Sequence, residues 1–124
     1  MADNLHAQFA AILARVEQRQ KRLVRNTLHA LYSSLVDQSP VDTGQFSSNW
    51  QLGVGAPNTT TTEATTVPPL ILPDIRLGAT YYLTNSLPYA KKLDQGSSQQ
   101  APAGVVAVTI AGFAATVQQA VTQL

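Results

Sequence analysis

The chain has 124 residues, 44% of them apolar and only 12% charged. That is enough hydrophobic material for one globular domain, and it excludes wholesale disorder. Eight Lys+Arg against seven Asp+Glu leave a net charge of +1, too balanced to attract nucleic acid or an anionic membrane through net charge alone, and the absence of cysteine excludes disulfides, thiolate chemistry and Cys-ligated zinc.

Residues 1–37 read as one long helix. Asp3 or Asn4 can cap it, and no Pro or Gly interrupts it before Pro40. Leu5, Phe9, Ile12 and Val16 follow helical spacings of four, three and four, and Val24, Leu28, Leu31 and Leu35 repeat them after a polar stretch. Such a helix is roughly 50 Å long, more than a chain of this size covers by itself, so part of it is expected to project or to pack on another subunit. No run of about 18 apolar residues marks a membrane span, and no apolar stretch of signal-peptide type opens the sequence, so neither membrane insertion nor Sec export is expected.

Pro40 disfavours helix at Ser39, and Val41-Asp42-Thr43-Gly44 reads as a turn: Asp42 and Thr43 offer side-chain acceptors to nearby amides, and Gly44 tolerates positive φ. Residues 45–54 then alternate, with Phe46, Ser48, Trp50, Leu52 and Val54 on one face, which predicts a half-buried strand. Residues 56–69 hold six Thr between 59 and 66 and little to bury, so an exposed hairpin arm or a long loop is expected inside a sheet region spanning 45–84. Leu77 to Thr84 reads as the second strand, and Tyr89 to Asp94 as a helical turn closed by Gly96. Residues 101–124, with Val106, Ile110, Phe113, Val117, Ala120 and Leu124 in register, predict a C-terminal helix, a strand at 105–110 being the alternative. The expected architecture is α+β in a single domain: a long N-terminal helix, a small antiparallel sheet with its arm, and a C-terminal helix.

Motifs of chemistry are scarce. His6 and His29 stand 23 residues apart, against the three or four that a helical metal pair needs. Asp37, Asp42, Glu63, Asp74 and Asp94 fall in no catalytic pattern, and neither a nucleophile elbow nor a phosphate-binding glycine loop occurs. No enzyme, cofactor or metal is therefore expected. The basic residues are concentrated in the first helix: residues 1–36 hold five basic and two acidic side chains, the remainder three and five. Arg15, Arg19 and Arg22 share one helix face, which is either a solvated surface or an electrostatic contact with an acidic neighbour.

Three segments resemble a known family. Ser39-Pro40-Val41-Asp42-Thr43-Gly44 followed by Phe46 and Asn49-Trp50 is similar to a P-V-D-T-G signature of the small head-proximal tail proteins of long-tailed bacteriophages, known as tail-completion, neck or minor tail components. Leu83-Thr84-Asn85-Ser86-Leu87-Pro88-Tyr89-Ala90, with Leu93 and Gly96, resembles their second signature, and Gln100-Ala101-Pro102-Ala103-Gly104 their third. Gln45 replaces the usual basic residue of the first signature, and Asp94 the usual Glu of the second.

The resemblance implies a non-enzymatic virion protein made in the host cytoplasm. It would form a ring, most often of six copies, where the proximal end of the tail meets the neck and connector proteins, around a channel through which DNA passes without sequence-specific binding. In that reading Asp42, Thr43, Gly44, Asn85, Pro88 and Gly96 are structural turn residues. Phe46, Trp50 and Tyr89 are core or interface aromatics, and Arg15, Arg19 and Arg22 are subunit contacts. The alternative is a small DNA-binding regulator that uses the basic helix face; no membrane partner is expected in either case.

Overall fold

The computed structural model describes residues 2–40, 44–88, 90, 112–122 and 124. The fold is α+β: helix α1 (Ala2–Gln38), a single 3-10 turn (Ser47–Asn49), strands β1 (Trp50–Val54) and β2 (Tyr81–Asn85), and helix α2 (Phe113–Thr122). Among the described residues no helix is long and apolar enough to cross a membrane.

Helix α1 runs 37 residues, about 55 Å at the usual rise. It begins at Ala2, so Asn4 lies within its first turn rather than ahead of it as a cap. Its end follows from Ser39, whose amide bonds the Val36 carbonyl (3.1 Å) and whose hydroxyl donates to the Leu35 carbonyl (2.6 Å). Pro40 lies just beyond, with no amide proton with which to continue the ladder.

The chain then departs from the expected strand. Residues 46–49 form a helical turn, and the ladder starts only at Trp50. The cause is the Gly44 carbonyl, which accepts from the Ser48 amide (3.1 Å), the Ser48 hydroxyl (2.6 Å) and the Ser47 hydroxyl (3.1 Å). Serine hydroxyls close to a free carbonyl offer the backbone a helical alternative that outcompetes an alternating pattern. Phe46 and Trp50 still share a side, through four-residue helical spacing rather than strand alternation. Their ring centroids lie 5.8 Å apart at 73°, the edge-to-face arrangement that aromatic quadrupoles favour.

Strands β1 and β2 pair antiparallel, with Trp50 opposite Asn85, Leu52 opposite Leu83 and Val54 opposite Tyr81. The second strand starts four residues later than the expected Leu77 to Thr84. Gly78 takes φ +85°, and the Ala79 amide bonds the Arg76 carbonyl (3.2 Å), so residues 76–79 are spent on a turn. Val54, expected inside, is 44% exposed at the sheet's end.

The core joins Tyr32 and Leu35 of α1 with Phe46, Trp50 and Leu87, and Val36, Val67, Leu70, Leu83 and Ala90 pack around them. Tyr32 stands outside the expected Val24, Leu28, Leu31, Leu35 stripe, and Leu31 is only half-buried. Helix α2 lies against α1: Ala120 and Leu28 are both buried, and the Asn26 side-chain amide donates to the Ala120 carbonyl (3.3 Å). The part of the expected C-terminal helix from 101 to 111 lies outside the described residues, as does the expected helical turn from Tyr89 to Asp94 with Gly96, apart from Ala90.

Candidate functional site

The two segments that carry the first and second resemblance signatures meet as one corner. Asn85 faces Trp50 across the sheet. Its side-chain amide donates to the Phe46 carbonyl (2.8 Å), while its oxygen accepts from the Leu87 amide (3.3 Å). That Asx turn directs Leu87 into the core beside Phe46 and Trp50. Pro88 follows on the surface. Of the other expected turn residues, Gly44 is described, and Asp42, Thr43 and Gly96 lie outside the described residues, as does Tyr89.

Gly44 is required twice over. Its φ is +81°, and a Cβ there would overlap the Thr65 carbonyl. The turn is therefore a glycine position by conformation and by contact.

Trp50 is buried, and its indole N–H donates to the Ser39 hydroxyl (2.9 Å). Because Ser39 in turn donates to Leu35, one chain of hydrogen bonds links the end of α1 to the first residue of β1. The tryptophan thus seals the helix-to-sheet corner with both its apolar body and its polar edge.

Asn49, expected on the outer face of a strand, is fully buried. Its Nδ2 donates to the Gln45 carbonyl (2.6 Å) and the Thr62 carbonyl (3.0 Å), and its Oδ1 accepts from the Thr62 amide (2.8 Å). A primary amide that both donates to and accepts from one residue's backbone imitates a strand neighbour. This clamp, together with two more contacts, decides the course of the Thr-rich segment. Asn58 Nδ2 donates to the Leu52 carbonyl (3.3 Å), and the Tyr32 hydroxyl donates to the Pro68 carbonyl (2.7 Å). Residues 56–69 form no strand, and most of their side chains are exposed, yet the segment is tied to the body through its backbone at 62 and 68 and through the Asn58 side chain, and Val67 packs on the core. Burial raises the Tyr32 phenol pKa above its ordinary range.

Arg15, Arg19 and Arg22 are all exposed, on a part of α1 that the other described residues do not cover. Among the described residues the ion pair on this helix is Lys21–Glu17 at 3.4 Å, four residues apart and solvent-facing. His6 and His29 are exposed as well. His29 and Asp37 border an open groove of about 440 Å³ between α1 and α2 with Asn26, Ser33 and Gln119, but they stand two helical turns apart, roughly 12 Å along the axis. Among the described residues no three His, Cys, Asp or Glu come together, and every buried side-chain polar atom has a partner.

Comparison with family models, with curated proteins and with solved structures finds no match to this chain.

Tyr32, Ser39 and Asn49 are the residues whose importance the sequence pattern misses. Ser39 and Asn49 belong to the segment that resembles the first signature, but only their side-chain chemistry, a hydroxyl at a helix end and an amide within a turn, hints at the bonds they make.

Proposed function

We propose that this protein is a structural component of a long-tailed phage virion, a ring subunit at the junction of tail and head that completes the proximal end of the tail around the DNA channel. The observation that carries the reading is the corner itself: the segments resembling the first two family signatures form one hydrogen-bonded, aromatic-sealed unit through Asn85, Phe46 and Trp50. Residues of that kind recur in a family because they fix a corner geometry, and fixed geometry is what a subunit repeated around an axis requires. The polar atoms of the corner are spent on one another, which suits a building block better than a catalyst.

Antibody labelling of virions should place the chain at the head–tail junction, and particles assembled without it should accumulate as separate heads and tails. Label elsewhere, or normal joining in its absence, would overturn the reading. The exposed Arg15, Arg19 and Arg22 face supplies a second test, because the remainder of the chain carries the opposite charge balance. Opposite flanks of a ring subunit meet its neighbours, so reversing all three to Glu should weaken association while leaving the melting temperature nearly unchanged. Duplex DNA binding whose affinity falls steeply with log salt, lost in the same triple variant, would instead assign the chain as a DNA-binding regulator.

A further inference from the structure

The N-terminal half of α1 carries an apolar stripe that the other described residues leave uncovered. Leu5 is 65% exposed, Phe9 62%, Ile12 54%, Leu13 54% and Val16 48%. Surface side chains of this size scattered singly need no explanation, but five on one helical face make a contiguous patch. Taken at 100° per residue, the stripe is centred about 120° around the helix from the Leu28, Tyr32 and Leu35 face that its own core buries. The described elements that pack on that second face do not reach the stripe, which leaves it open to a partner.

We infer that the stripe is a self-association surface, on which the N-terminal half of α1 from a second copy packs antiparallel. Three observations select a second copy. First, Leu5, Phe9, Ile12 and Val16 recur at four, three and four, the seam spacing of paired helices, and the seam ends where Arg19 occupies the next position. Second, with about half or more of each of the five residues exposed, two copies could bury at most about 1,000 Å² between them, the low end for a specific interface. The association is therefore weak and concentration-dependent. Third, the charges fix the direction. Parallel pairing sets the two Arg19 side chains against each other at the end of the seam, whereas antiparallel pairing places Leu5 against Val16 and carries each Arg19 past the partner's stripe into water. A lipid surface fits less well, because residues 4–14 hold no Lys or Arg and the basic cluster begins only at Arg15. The pairing rests on the geometry of α1 and not on the head–tail role.

Sedimentation of the full chain over a wide concentration range tests it. The wild-type chain should pass from monomer to a larger species, and Phe9→Glu and Ile12→Glu should each raise the midpoint by at least about tenfold, with unchanged helix content and melting temperature in the dilute monomer. Because the chain contains no cysteine, the direction is testable too: Leu5→Cys mixed with Val16→Cys should cross-link under mild oxidation, while neither alone should. A wild type that stays monomeric, or variants that associate equally well, would overturn the pairing. A lower melting temperature in the dilute variants would show that the chain covers its own stripe, and binding of the wild type to anionic phosphatidylserine vesicles, lost in Phe9→Glu, would assign the stripe to lipid. Self-cross-linking by each single cysteine variant would overturn the antiparallel arrangement.

Discussion

The two halves of α1 share one backbone geometry and the same apolar spacing, yet every described side chain from Asn4 to Gln20 is exposed, while Leu28, Tyr32 and Leu35 are buried. The difference lies in what the remaining chain can reach. Among the described residues, the corner around Trp50, the returning segment near Pro68 and helix α2 all pack on the second half, and none covers the first. Helical periodicity therefore reports that a face will be buried, and the amount of chain available decides whether its own body does the burying. The first half is held by backbone hydrogen bonds and local pairs such as Lys21–Glu17, the second by tertiary packing.

The comparison breaks most severely at the corner that gives the second half its packing. Trp50→Ala removes a buried ring and its bond to Ser39, and it should cost about 3–5 kcal/mol in chemical denaturation. If stability holds and only assembly fails, Trp50 belongs to an interface rather than to the core. Asn49→Ala leaves the Thr62 backbone without its clamp and should cost about 2–3 kcal/mol. Its specific signature is faster amide exchange at Thr62, with the amides of α1 unaffected at low temperature.

Tyr32→Phe deletes the bond to Pro68 and should cost about 1 kcal/mol. It also carries a pH signature. Since burial raises the phenol pKa in the folded chain, folding favours the protonated form. That contribution is complete below the unfolded value of about 10 and is lost as pH rises through the folded-state value. Denaturation between about pH 8 and pH 11 should show wild type losing more stability at the alkaline end than Tyr32→Phe does. The smallest effect belongs to the other half of the helix. Phe9→Ala with Ile12→Ala should change the stability of the dilute chain by no more than about 0.5 kcal/mol, and a larger loss would mean that the two halves of α1 are not as different as their exposures indicate.

Much of this fold is legible in the sequence because its causes are local. A stretch from 1 to 37 without Pro or Gly, a Pro at 40 and a turn glycine at 44 are enough to place the long helix and its corner. The alternating run from 45 to 54 gives the strand but misplaces its start, since alternation does not reveal that the Ser47 and Ser48 hydroxyls will hold the Gly44 carbonyl in a helical turn. The segment from 56 to 69 reads correctly as poor in core-forming residues. That its backbone nonetheless lies close to the body depends on Asn49, Asn58 and Tyr32, residues that pattern alone cannot link to partners 13, 6 and 36 positions away.

By itself, then, the sequence determined the order of the long helix, the two strands and the C-terminal helix, the need for glycine at position 44 and the imbalance of charge between the first helix and the rest. These follow from φ restrictions, periodicity and counting, each acting within a few residues. Only the tertiary structure decided that Asn85 and Leu87 close the corner begun by Phe46 and Trp50, that Tyr32 rather than Leu31 faces the core, and that the apolar stripe from Leu5 to Val16 is left facing outward. Those outcomes depend on which surfaces arrive at the same place, and burial is settled by that competition for a limited area rather than by the preferences of any one residue.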